Sequence, residues 1–333
     1  MTTASQSESL VTLGITAFNA EQTVADAVRS ALAQSWRPIE IIVVDDASTD
    51  RTMEILTALA AEQTGIRIIR QEINKGVGAA RNRIVDEAQG AFIAFFDDDD
   101  KSHPERVTRQ IDRIRKYERD FAGDDPVICH AARRQTFPDG GVHLVPTMGS
   151  TEGMRAPAGP PVAERILLGT PLENAYGACA TCSQLARRET YRRLSGFDAA
   201  FRRSEDTEFN VRLALAGGHF VGIADPLVDQ VMTPASEKSM AEEQRYASLL
   251  LEKHRAVAEA AGGYAFARRW LDLRAAWQGR HHLRAAMLGA RLVLRHPRRS
   301  LARLSVALPG LRLNQRQADL HRMSGAQTPT GSR

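Results

Sequence analysis

The feature that most restricts this chain is the rhythm of its first hundred residues, where short apolar runs alternate with amphipathic stretches. Residues 10–16 (LVTLGIT), 39–44 (IEIIVV), 66–70 (IRIIR) and 91–96 (AFIAFF) read as strands. Residues 22–34, 50–62 and 77–88 read as helices between them, the first with Val24, Ala27, Val28, Ala31 and Leu32 on one face. Apolar strands separated by helices predict a parallel sheet covered on both faces. Such a sheet takes its ligands beyond the carboxyl ends of its strands, so the polar residues there are the ones to interrogate.

Those ends are rich in reactive groups. Thr16-Ala17-Phe18-Asn19 follows the first strand, Asp45-Asp46-Ala47-Ser48 the second and Asp97-Asp98-Asp99-Asp100 the fourth. Four adjacent carboxylates repel one another and occur as a solvated face or around a cation. Directly behind an apolar strand the cation is favoured, and carboxylate oxygens suit Mg²⁺ or Mn²⁺, which keep water and substrate phosphates as their other ligands. In an extended run, alternation would put Asp97 and Asp99 on one side. Asp45 and Asp46 can accept hydrogen bonds from ribose hydroxyls or a base N–H, while Ser48-Thr49-Asp50 reads as a helix cap, with Asp50 structural. Receiver domains also carry a strand ending in two aspartates, but there the pair follows the first strand; here a full strand–helix unit precedes it.

Two further segments are weaker taken singly. NKGVGAARN (74–82) has neither GxGxxG nor Walker A spacing. It is either an ordinary loop-to-helix transition or a tight turn bringing a helix N-terminus and Arg81 to an anion. Ser204-Glu205-Asp206 opens a helical stretch near 205–216 and, without context, reads as cap and dipole chemistry.

Beyond residue 110 the pattern loosens, with loops at 136–160, short strands near 219–223 and 227–231, a break at Pro234, and helices from about 240 onward. A chain of 333 residues can form one large domain or two smaller ones. Met1 to Ser9 lacks the basic and apolar regions of a secretory signal, and no stretch approaches the roughly 20 apolar residues of a membrane span, so a cytoplasmic protein is expected. Of the three cysteines, Cys129, Cys179 and Cys182, the last two form a CxxC that suggests a redox pair or half a zinc site; with no second CxxC and small residues around it, buried structural thiols are the favoured reading.

Charge is unevenly spread. Between Asp272 and Asp319 there is no acidic residue, yet Arg274, Arg280, Arg284, Arg291, Arg295, Arg298, Arg299, Arg303, Arg312 and Arg316 all fall there. Leu283, Met287, Leu288 and Val293 lie at helical spacing among them. Two readings stand open: a basic amphipathic helix touching an anionic membrane through 281–303, or a helix packed on the domain with a solvated arginine face. A nucleic-acid-binding protein is the rival that the pI of about 9.1 raises. Acidic clusters in the first half and 6% aromatic residues argue against it, so no nucleic acid partner is expected.

Taken in order, LGITAFNAEQTVADAVRSALAQSWRPIEIIVVDDASTDRT, NKGVGAARN, AFFDDDDKSHPER and GFDAAFRRSEDTEFNVRLALAGG resemble the inverting glycosyltransferases of family 2, over about residues 9–232. The resemblance implies the GT-A fold: an α/β, Rossmann-like, mixed but mostly parallel sheet flanked by helices. The catalytic domain would span 9–235, as a nucleotide-binding half (9–110) and an acceptor half (111–235), with a basic helical extension at 236–333. It implies a nucleotide-sugar site of Thr16, Ala17, Asn19, Asp45, Asp46, Gly76, Arg81, Asp97 and Asp98. Asp99 and Asp97, matching the DxD motif, would hold Mn²⁺ or Mg²⁺; Asp206 would be the general base, with Glu205 its neighbour.

The reaction so implied moves a sugar from a nucleotide diphosphate, most commonly UDP, to a sugar or lipid-linked acceptor of the cell envelope, at the inner face of the membrane. Ala47-Ser48 replaces a frequent Gly-Ser and Thr16 a frequent proline, neither removing chemistry. The QxxRW motif of processive polymerases is missing: Arg269-Trp270 is present, but Phe266 takes the glutamine's place, which implies one sugar per acceptor. A Mg²⁺-dependent phosphohydrolase using residues 97–100 is the remaining rival; it needs a DxDx[TV] pattern, and Lys101 stands where Thr or Val is wanted.

Overall fold

The computed structural model describes residues 9–232 and 240–307. Its first part runs β1 (Val11–Ala17), α1 (Val24–Leu32), β2 (Ile39–Asp45), α2 (Thr52–Glu62), β3 (Ile66–Arg70), α3 (Val77–Glu87) and β4 (Phe92–Asp97). Each of these lies within two residues of its sequence-read bounds. Then follow β5 (Asp100–Ser102), α4 (Arg106–Tyr117), β6 (Val127–Thr136), β7 (Val142–Val145), α5 (Pro160–Leu168), β8 (Gln184–Arg187), α6 (Arg188–Arg193), α7 (Glu205–Leu215) and β9 (His219–Val231). Helices α8 (Met240–Lys253), α9 (Arg255–Ala260), α10 (Tyr264–Gln278), α11 (His282–Arg295) and α12 (Pro297–Ala307) complete it. The Pro234 break, the boundary at 235/236, Arg312 and Arg316, and residues 1–8 lie outside the described residues.

One mixed sheet runs in the order β3-β2-β1-β4-β8-β6-β9-β5, with β7 added to β6. The longest ladders, β1–β2, β1–β4, β2–β3 and β6–β9, are parallel; β8 pairs antiparallel to both β4 and β6. Period-two alternation divides the core. Leu13, Ile15, Phe92 and Phe96 face α1 and α4, whereas Ile93 and Phe95 join Ile84 and Val85 of α3 in a second cluster. Gly14 lets α3 approach: a Cβ there would stand 2.5 Å from Ile84 Cγ2.

The second cluster runs on through Leu167 and Leu168 of α5 into Tyr246, Leu250 and Leu251 of α8 and Ala267 of α10. The helical extension therefore shares a core with the sheet. A charged hub reinforces the join: buried Glu208 on α7 meets Arg212 at 2.8 Å, Lys253 at 2.6 Å and His254 at 3.4 Å. Burial raises the Glu208 pKa, but the close His254, Arg212 and Lys253 side chains overcome it and bring it down to about 2.

Three expectations change. The two short strands near 219–223 and 227–231 are one strand, because a bulge absorbs Ala224 and Asp225 while pairing with β6 continues on either side. The 136–160 region carries β7 and only then an irregular stretch. The stripe expected on α11 is split: Ala285 and Leu292 are buried and Leu288 half-buried, while Leu283 (85%) and Leu294 (81%) are among the most exposed apolar side chains. Cys129 and Cys182 are buried and free, and Cys179 is free and partly buried.

Candidate active site

Beyond the carboxyl ends of β1, β2 and β4 opens a cavity of about 1390 Å³. Thr16, Ala17, Asp46, Gly76, Arg81, Asp97, Asp98, Asp99, Glu205 and Asp206 all line it. Asn19 and Asp45 do not. Asn19, at φ 50°, accepts from the Thr49 N–H (2.9 Å) and donates its own N–H to Ser48, tying the first loop to the second. Asp45 is fully buried beneath Ser48, whose N–H it accepts at 3.2 Å.

Asp46 holds the glycine loop. Its carboxylate accepts from Gln71 Nε2 and from the Lys75 and Gly76 N–H groups, each at 2.8 Å. Gly76 takes φ +89°, a conformation that favours glycine, and so turns the chain into α3. One turn into α3, Arg81 is 4% exposed and spans two carboxylates: Asp97 at 2.9 Å and Glu205 by a short contact. Burial alone would lower the Arg81 pKa, yet Asp97, Glu205 and Asp206 raise it. This strut joins the carboxyl end of β4 to the start of α7.

The aspartate run is not extended. Asp97 ends β4, Asp98 and Asp99 form a turn, and Asp100 begins β5, so alternation does not govern which side chains converge. The register of β5 against β9 sets Asp100 opposite Gln230, which donates to it at 2.8 Å. Asp98 accepts the Phe18 N–H at 2.8 Å. Buried Arg106 holds the turn's base, donating to Phe95 O and Ser102 Oγ at 2.7 Å each. Burial and the neighbouring carboxylates push Asp98 up to about 7 and Asp100 up to about 8.

Ligand atoms of Asp97, Asp100 and Cys182 lie within 4.8 Å of one another. The surplus of oxygen anions in this turn fits a hard divalent cation. The Cys182 thiol, whose pKa burial raises well above the ordinary value, is the softer and less suitable donor.

Asp206 stands across the cavity at the start of α7. Its Oδ1 accepts the Thr207 N–H (2.6 Å) and hydroxyl (3.1 Å), while Oδ2 has no hydrogen bond among the described residues. Glu205 is buried on Arg81, and burial followed by the adjacent Asp206 raises its pKa. Several lining residues were not readable from sequence. Gln230 arrives through β9 pairing, and Tyr246, Trp270, Leu271, Arg274 and Arg303 come from the helical extension. No complete motif marks any of them, although Trp270 belongs to the Arg269-Trp270 pair noted in the sequence.

A model of the family described as "Glycosyl transferase family 2" matches residues 12–183. The succinoglycan biosynthesis protein ExoO of Rhizobium meliloti is 39% identical over 103 residues, 31% of this chain and 29% of that protein. The UDP-Glc:alpha-D-GlcNAc-diphosphoundecaprenol beta-1,3-glucosyltransferase WfaP of Escherichia coli is 38% identical over 102 residues, 31% of this chain and 40% of that one. Both matches thus span well under half of those relatives. The amylovoran biosynthesis glycosyltransferase AmsB of Erwinia amylovora is 26% identical over 220 residues, 66% of this chain and 68% of that one. Among solved structures, S. aureus TarS 1–349 in complex with UDP-GlcNAc superposes with a TM-score of 0.58 at 16% identity, over 94% of this chain and 89% of that one.

Proposed function

This chain belongs to glycosyl transferase family 2, and on that premise we propose that it is an inverting, non-processive enzyme that moves one sugar from a nucleotide diphosphate to an acceptor hydroxyl of a cell-envelope glycan. The observation that carries this reading is the meeting of the Asp97–Asp99 turn and Asp206 in one cavity, with the Arg81–Glu205 strut between them. UDP is the favoured nucleotide; a relative named for UDP-Glc and a similar fold solved with UDP-GlcNAc support it.

Asp206 Oδ2 takes the proton of the acceptor hydroxyl as its oxygen attacks the anomeric carbon, from the side opposite the diphosphate. Thr207 fixes the carboxylate's orientation through Oδ1. Positioned bases of this kind contribute about 10²–10⁴-fold. Asp99 and Asp97 would hold Mn²⁺ or Mg²⁺, which when bound offsets the charge that develops on the leaving diphosphate. Arg81 is committed to Asp97 and Glu205 and acts by positioning them. Thr16, Ala17, Asp46 and Gly76 shape the donor end, with Asp46 keeping the glycine loop in place.

Membrane contact also belongs to this reading. Exposed Leu283, Leu294 and Leu301 lie among the exposed arginines Arg284, Arg291, Arg295 and Arg298 of α11 and α12. Apolar side chains ringed by cations suit an anionic bilayer surface, where a lipid-linked acceptor would be found. No described helix is long and apolar enough to cross a membrane.

The deciding experiment is calorimetric titration of the protein with UDP, in Mn²⁺ and then in EDTA. Binding that requires the metal is the expected result. Failure to bind UDP, GDP or dTDP under either condition would remove the transferase reading.

A further inference from the structure

Two arginines, Arg274 and Arg303, line the wall of the cavity that the helical extension builds, and a third, Arg165, stands behind that wall, near enough to repel Arg303. Arg165 lies in the last turn of α5, Arg274 on α10 and Arg303 on α12. None forms an ion pair with a carboxylate among the described residues, unlike the Arg81 and Arg212 guanidinium groups. Arg165 Nη1 and Arg274 Nε are buried with no hydrogen-bond acceptor. Arg303 lies over the Trp270 ring at 5.5 Å and is pressed against Gly169, where an added Cβ would fall 1.6 Å from Nη1. Burial, then repulsion from Arg165 and Arg274, pushes the Arg303 pKa down to about 10.

Gathering like charges with unsatisfied donors costs folding free energy. One local compensation exists: Gly169 caps the C-terminus of α5, so Arg303 sits at the negative end of a helix dipole. That end carries about half an elementary charge, too little for three guanidinium groups. The remaining balance calls for an anion. Guanidinium forks match phosphate oxygens in pairs, and Arg274 and Arg303 line the same cavity as Asp206.

We propose that Arg274 and Arg303, with Arg165 adding positive charge behind them, bind a phosphate or diphosphate group carried by the acceptor. This rests on the transferase reading, because it is Asp206 that makes the adjoining space the acceptor's. The donor's diphosphate is assigned to the carboxylate turn at the other end, so the arginine cluster serves a second anion. Leu250, Leu251 and Leu271 line the cavity beside it and suit an apolar chain attached to that phosphate.

The test is titration of the full-length protein with decyl diphosphate, decanol and inorganic diphosphate, each in EDTA to keep metal–diphosphate binding out of the signal. Tryptophan fluorescence reports occupancy because Trp270 lies under Arg303. The expected result is saturable binding of decyl diphosphate and none of decanol at equal concentration. Arg274→Gln and Arg303→Gln are expected to weaken binding by at least about tenfold, and UDP affinity measured separately in Mn²⁺ is expected to stay within about twofold.

Inorganic diphosphate binding as tightly as the decyl ester would support the phosphate site and assign its affinity to the anion alone. Decanol matching decyl diphosphate, or both variants binding like wild type, would overturn the proposal. If a variant also loses UDP binding, the wild-type contrast of decyl diphosphate with decanol still decides. Loss of UDP binding by the wild type counts against the transferase reading; loss of decyl diphosphate binding alone counts against the arginine site.

Discussion

At one end of the cavity, four carboxylates crowd a turn between two strands, and burial and mutual repulsion lift Asp98 and Asp100 to about 7 and about 8. At the other end Arg274 and Arg303 line the wall, backed by Arg165, and burial and mutual repulsion depress Arg303 to about 10. Between them, and beneath them, charges cancel: Arg81 lies between Asp97 and Glu205, and Glu208 lies among Arg212, Lys253 and His254. Like charges held together oppose folding, whereas buried opposite charges satisfy each other. Matched charge therefore marks the frame of this protein, and under the proposed function the ends where like charges crowd are the ones that would receive ligand. The negative end suits a cation bringing the donor; the positive end suits an anion on the acceptor.

The largest effect is expected at the junction between the two ends. Asp206→Asn keeps the shape of the side chain but removes the base, and sugar transfer should fall by about 10²–10⁴-fold or more. Calorimetric UDP affinity should be unchanged. A mutant that loses UDP binding as well would move Asp206 from the chemistry into the donor site.

A smaller effect tests matched charge as frame. Glu208 has a folded pKa of about 2 against an ordinary 4.5, so its stabilisation is fully present above about pH 4.5 and lost as pH falls toward 2. Glu208→Gln should lower the unfolding free energy near neutral pH by about 3 kcal/mol, at 1.36 kcal/mol per unit. The gap from wild type should close on acidification, measured by urea denaturation across pH 2–7. A gap independent of pH would show that Glu208 contributes by packing instead of charge.

The smallest effect on stability is expected on the outer face of the extension. Leu283→Ser with Leu294→Ser should shift stability by no more than about 0.5 kcal/mol per site, since both side chains are exposed. Flotation with vesicles containing anionic lipid should nonetheless fall markedly. Unchanged flotation would confine membrane attraction to the arginines, and a wild-type protein that never floats would remove membrane contact altogether.

How much of this was legible depended on whether neighbours in space were neighbours in sequence. β1 to β4 and their helices were readable because each strand announces itself by a local apolar run. The polar residues at their ends followed, since strand ends have a fixed place in such a sheet. The Asp97–Asp100 segment misled in one respect: alternation assumes an extended chain, and a turn intervenes at Asp98 and Asp99. Asn19 and Asp45 had the right chemistry at strand ends but do not line the cavity; Asn19 accepts from the Thr49 N–H and Asp45 Oδ2 from the Ser48 N–H. β9 looked like two strands because a bulge interrupts the pattern without interrupting the pairing.

The sequence by itself determined the kind of sheet, the family, and which carboxylates and arginine stand near the carboxyl ends of its strands, because those are local patterns with strict steric or electrostatic requirements. Tertiary structure decided that Asp46 anchors the glycine loop, that Arg81 bridges Asp97 and Glu205, and that Gln230 reaches Asp100. It also decided that the arginine-rich extension does two things, packing one face against the sheet's core and turning Arg274 and Arg303 into the cavity. Composition records how much charge a segment carries. Only the fold sets which charges find a partner and which are left for a ligand.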